Sequence, residues 1–183
     1  MQRQVNDRII LNLFNGIKEG CPFTIDQVLA FKNNEIETHS TDFISWLFPT
    51  KGIQFGEILT ASKRPPVLTS DLADNFNDYE SVMGKYRSGL TLMLQHFGLD
   101  LTIEGAVIKH PEKYEGHKDY IIGHNFLVIT RILNSLMQLG QTSIAESLFN
   151  QLKEISREEG MGHLQEIIGK TWEGIINPGP LFD

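Results

Sequence analysis

Cys21 is the only cysteine in these 183 residues, so the chain can form no internal disulfide and gives no sign of an oxidising compartment. Followed by Pro22, it reads as a small buried hydrophobe. A nucleophilic role would need a base beside it in space. No apolar run approaches the ~20 residues that a membrane helix requires. The early stretch Ile9-Ile10-Leu11 is broken by Asn12 and Asn15, so it is no signal-peptide core. Basic charge is scarce: the net charge is −7, and no basic cluster is larger than Lys63-Arg64. Counterion release by Lys and Arg drives binding to phosphate backbones, so neither nucleic acid nor an anionic membrane surface is expected as a partner. There is no G-x-S-x-G, phosphate-binding loop, G-x-G-x-x-G, kinase set or H-E-x-x-H, and no internal repeat. The expectation is a cytoplasmic protein with no cofactor, no metal and no membrane insertion, and the reading leans away from an enzyme.

The chain does carry helical periodicity. Hydrophobic residues make up 40% and charged residues 21%, a globular balance that permits one domain with a real core over residues 1–183. Val5, Ile9, Ile10, Leu13, Phe14 and Ile17 form one stripe over 2–17. Thr24 and Gln27 form a capping box for a helix over 25–33. Phe43, Trp46 and Leu47 share a face of a short helix that Pro49 ends. Residues 50–68 read as a long surface loop. Thr69-Ser70-Asp71 caps a helix over 71–77.

The run from Tyr79 to Phe97 is strongly amphipathic and stops at Gly98. Leu99, Leu101, Ile103 and Val107 alternate around Glu104-Gly105, which suggests a hairpin over 99–109. Residues 110–123 read as loop. The most apolar helix spans 124–139, another follows over 144–155, and a glycine-weakened one spans 163–176. The expected class is all-α: a single compact domain of six to eight helices, with room for one short β-hairpin.

Candidate site residues are few. His124, Arg131 and Ser135 project to one side of the most apolar helix, with His124 and Arg131 about 10 Å apart along its axis. They could hold an anion between them, with Arg131 donating paired hydrogen bonds. Equally, His124 and Asn125 could cap the helix while Arg131 meets a carboxylate from Asp42, Glu35 or Glu37. A guanidinium stays charged, so a buried Arg131 requires a partner. His110, Glu112, His117 and His124 are spaced too widely for a zinc site, and the three histidines read as solvated loop residues.

Three stretches carry a family resemblance. Thr41-Asp42-Phe43-Ile44-Ser45-Trp46-Leu47-Phe48-Pro49 is similar to H-x-Y-I-Q-W-L-F-P, and Pro66-Val67-Leu68-Thr69 to A-P-L-L-T. His124-Asn125-Phe126-Leu127-Val128-Ile129-Thr130-Arg131-Ile132-Leu133-Asn134-Ser135-Leu136 is close to H-N-x-L-R-I-T-R-I-L-x-S-L. Between the second and third, Met93-Leu94 followed by Phe97-Gly98-Leu99 resembles M-L-x-F-Y-G. Over about residues 24–158 the chain resembles the opioid growth factor receptor domain family, with helices 2–17 and 163–176 as flanks. Thr41, Ser45 and Val128 stand where that family has His, Gln and Arg, and His39 lies two residues out of register. What matches is largely apolar, as core residues are.

Animal members are described as receptors for an enkephalin growth-inhibiting peptide, associated with the nucleus and its envelope. They carry a long repeat-containing C-terminal region that has no counterpart in these residues. The aromatic-rich motif and the absence of a catalytic set point to a helical binding module. Its groove is expected near Trp46 and the 50–68 loop, with a peptide or protein partner. The competing readings are a small enzyme or sensor acting on an anionic metabolite through Arg131 and His124, with Asp42 assisting, and a structural oligomer subunit.

Overall fold

The computed structural model describes residues 2–32, 35–36, 43–52, 65–122 and 125–178. The chain is mostly helical, with one two-stranded antiparallel hairpin. In order, the elements begin with α1 (Gln2–Phe14), α2 (Ile25–Leu29), α3 (43–47), α4 (Ser70–Asn75) and a 3-10 turn (Phe76–Asp78). Then come α5 (Glu80–His96), β1 (Leu99–Leu101), β2 (Val107–Lys109), α6 (Tyr114–Ile122) and α7 (Phe126–Gln138). α8 (Thr142–Glu158), α9 (Gly162–Ile167), a π-helical segment (Ile168–Trp172) and α10 (Glu173–Ile176) complete the set. Two compact units emerge: Met1–Leu92 with Gln138–Gly140, and Met93–Met137 with Gln141–Asp183. Among the described residues no helix is long and apolar enough to cross a membrane.

The first unit is built on rings. Ile10, Leu13 and Phe14 of α1 are buried, as the spacing of its apolar stripe requires. The capping box forms: Thr24 N–H donates to Gln27 Oε1 at 2.9 Å, and Gln27 N–H to Thr24 Oγ1 at 3.4 Å. α2 is shorter than the periodicity suggested, ending at Leu29. Trp46 is 3% exposed and meets Phe23 edge-on at 6.2 Å. Phe43 meets Phe23 at 6.4 Å and Phe31 at 5.6 Å. Gly89 lets α5 approach this group, since a Cβ there would stand 2.6 Å from Leu47 Cδ1. The 50–68 loop falls mainly on residues 53–64, outside the described residues; at its ends, Leu68 N–H donates to the Thr50 carbonyl at 2.9 Å.

In the second unit, Gly98 ends α5 with φ +73°, and a Cβ there would meet Tyr114 Cα at 2.8 Å. Glycine therefore both permits the left-handed turn and lets α6 lie against it. The hairpin pairs Leu99 with Lys109 and Leu101 with Val107. Val107 N–H donates to Ser147 Oγ at 2.8 Å, which fastens β2 to α8. Ile129, Ile132, Leu133 and Leu136 of α7 are buried, as are Ile144, Leu148, Phe149, Leu152 and Ile155 of α8.

The expected loop over 110–123 is corrected by α6, a nine-residue helix. Its start is capped by an imidazole: His110 Nδ1 accepts from the N–H of Glu112 at 3.2 Å and of Lys113 at 3.3 Å. Sequence rules look for Ser, Thr, Asp or Asn in that role. Among its residues of described burial, only Tyr114 and Ile121 are buried, two turns apart, a sparse stripe for a helix.

Replacing Trp46 by Ala is expected to cost about 3–5 kcal/mol, because the cavity would lie among Phe23 and Phe43 with little room to collapse. Urea unfolding checks this; a loss of under about 1 kcal/mol would remove Trp46 from the core.

Candidate functional site

A cleft of about 300 Å³ opens in the first unit, lined by Asn6 of α1, Lys51, Val67, Leu68, Thr69, and Ser70 and Asp71 of α4. Local hydrogen bonds hold its walls. Lys51 N–H donates to Gln138 Oε1 at 2.6 Å. Thr69 uses its hydroxyl twice: it donates to Asp7 Oδ1 at 2.8 Å and accepts from Leu72 N–H at 3.1 Å, capping α4. Leu68 is buried, whereas Lys51, Ser70 and Asp71 are exposed. The cleft is thus lined by more polar than apolar surface, with Lys51, Ser70 and Asp71 exposed. Of its residues, sequence reasoning singled out only the loop ends and the α4 cap; Asn6 lies far off in the chain and carries no motif.

The sequence-derived candidates are placed differently. Trp46 is sealed among rings and does not line the cleft. Asp42 and His124 lie outside the described residues, as do His39 and Glu37. Asn125 stands at the start of α7: its carbonyl accepts from Ile129 N–H at 3.0 Å, and its Nδ2 donates to the Tyr120 carbonyl at 2.7 Å. It therefore ties the end of α6 to α7. Arg131 is 3% exposed and engaged in at least one polar, charge or ring interaction.

Around the hairpin, α6 and α8 lies a charged network. Lys118 Nζ reaches Glu159 Oε2 at 3.0 Å and Glu115 Oε2 at 3.0 Å. Tyr114 Oη donates to Glu159 Oε1 at 3.4 Å, and Lys109 pairs with Glu158 while standing 4.4 Å from the Tyr114 ring centre. Burial, reinforced by the Glu159 charge, pushes the Tyr114 phenol up to about 12. The Lys118 hydrogen bond holds the Glu159 carboxyl below the usual carboxylate range, against partial burial. Hydrogen bonds to Glu115 and Glu159 raise Lys118. Lys109 and Lys118 are each matched by a carboxylate, the mark of a structural network as much as of a reactive one.

His110 and His117, weighed against a metal reading, have other work. His110 caps α6, and His117 Nδ1 lies 3.1 Å from the His96 carbonyl, which can only accept, so that nitrogen carries a proton. Among the described residues no three His, Cys, Asp or Glu side chains gather as a metal site.

The sequence profile of the opioid growth factor receptor (OGFr) conserved region matches residues 15–163. The chain belongs to this family. No solved structure matches it. The OGFr match extends the motif resemblance at both ends, from just after α1 to the start of α9. It covers every cleft residue except Asn6.

Two outcomes are expected. Arg131→Met should destabilise the fold by about 1–3 kcal/mol, because groups that meet the guanidinium in the interior lose their partner; unchanged thermal stability would mark Arg131 as dispensable to packing. The Glu159 carboxyl is lowered in the folded state, so its contribution is full above the ordinary Glu pKa and is lost as pH falls through the lowered value. Below about pH 5, Glu159→Gln should therefore lose less stability per pH unit than the parent. Parallel denaturation midpoints for the two proteins across pH 5 to 2.5 would contradict the network.

Proposed function

We propose that this OGFr-family chain is a cytoplasmic helical binding module that takes an extended segment of a peptide or partner protein into the cleft between Lys51 and Asp71. The observation that carries the reading is the cleft's position in the family region, where residues 51 and 67–71 flank the segment that the sequence reads as a loop. Its volume of about 300 Å³ is at the small end for ligand pockets and suits one or two side chains. The exposed ammonium and carboxylate favour a segment carrying both charges.

The reading as an enzyme or sensor on an anionic metabolite draws less support: its Arg131 is buried, which leaves little of its fork open to a substrate. A structural oligomer subunit is favoured by no specific observation.

Selection from a displayed library of random short peptides provides the test. Binders are expected to lose affinity by about ten-fold or more with Lys51→Glu and with Asp71→Lys, the two preferring opposite charge patterns. Both positions are exposed, so stability should hold. Failure to enrich any binder, or binders indifferent to both changes, would overturn the proposal.

A further inference from the structure

The helical segment from Gly162 to Ile176 is wound to fit the surface it covers. Its buried residues, Leu164, Ile168, Trp172 and Ile176, recur every fourth position. On an α-helix each such step drifts by about 40°. The wider i→i+5 turns of the π-helical segment Ile168–Trp172 take up that drift and return Trp172 to the line of contact. Trp172 is wholly buried, and its Nε1 donates to Thr130 Oγ1 on α7 at 2.8 Å. The same hydroxyl donates to the Phe126 carbonyl at 2.6 Å, so both its roles are used. Gln165 Nε2 adds a bond to the Ser156 carbonyl of α8 at 3.3 Å.

The segment has little helical stability of its own. Gly162, Gly169 and Gly174 are exposed, and a Cβ at any of them would meet nothing within 4 Å. No packing demand explains glycine there, and each weakens the helix relative to alanine. A helix of this length is marginal without tertiary support. All but its first two residues lie beyond the family match, which ends at residue 163.

We infer that residues 162–176 form a detachable strap, latched by Trp172 on Thr130, that opens and recloses as one unit while α7 and α8 stay folded. Opening uncovers the Thr130 hydroxyl and the apolar strip beneath Leu164, Ile168 and Trp172. The strap therefore governs access to one face of α7, the helix that carries the third family motif. This inference does not depend on the cleft.

Native-state hydrogen exchange of the full chain, resolved by peptide mass, tests it. Amides of 162–176 should exchange together, at least ~ten-fold faster than those of 144–155 in α8. The double variant Gly169→Ala with Gly174→Ala should slow the strap by about ten-fold or more and leave α8 unchanged. Trp172→Phe, which keeps a ring but loses the N–H, should speed the strap alone; Thr130→Val tests the same latch should that variant fail to fold. Exchange of 162–176 in step with α8, or no slowing in the double variant, overturns the strap. Parent-like exchange in the latch variants overturns the latch.

Discussion

Tyr86 is the residue on which the first unit turns. Its ring, wholly buried on α5, meets Phe14 of α1 at 6.0 Å, Phe48 beyond α3 at 5.7 Å and Phe76 of the 3-10 turn at 5.8 Å. Four segments distant in sequence are fixed by one side chain, three of them through edge or tilted contacts that add to simple burial. The cleft inherits this order. Phe48 is followed by Pro49 and Thr50, and Thr50 receives Leu68 across the ends of the loop. Lys51 is thus held at one remove from the ring cluster, and Asp7 holds Thr69 from the other side. A polar cleft whose walls are already held in place would cost little to order under the proposed binding role.

The second unit is organised by close approach instead. Gly98 lets α6 lie against the end of α5, and His110 and Asn125 bracket α6 with backbone bonds at its two ends. The Tyr114, Lys118 and Glu159 network then joins α6 to the end of α8. These are polar devices on a helix in which, among the residues of described burial, Tyr114 and Ile121 are the buried ones. Such a helix owes its existence to neighbours rather than to its own pattern.

That contrast explains what could be read in the sequence. α5, α7 and α8 each carry several apolar residues at spacings of three and four, and each formed within a few residues of its expected span. The capping box at Thr24 and the hairpin around Glu104-Gly105 were legible because their chemistry is local. α6 was not, because its cap is a histidine and its partners come from α5, α7 and α8. The π-helical segment was hidden too: a stripe of period four reads as an imperfect α-helix until the surface beneath it is known. The cleft was half legible. A long loop between Thr50 and Thr69 pointed to a binding region, but the contribution of Asn6 needed the packing of α1.

Trp46 shows how a motif can mislead about function while being right about structure. The aromatic string Phe43 to Phe48 and the apolar residues of Ile129 to Leu136 mark the family, and both lie in the interior. Interior residues specify which helices pack and at what angle, so sharing them transmits a fold. They cannot specify a ligand that never reaches them. In the proposed binding role, recognition would rest on groups that the fold leaves at the surface, where Lys51, Ser70 and Asp71 stand in this chain. The polar groups that are buried, Thr50, Arg131 and Ser135 among them, serve another end. Each must find a partner or cost the fold its desolvation, so each permits fewer alternative packings than a hydrocarbon of its size. A core that combines many rings with a few such obligations can hold a polar rim in one geometry, and that geometry is what a partner would read.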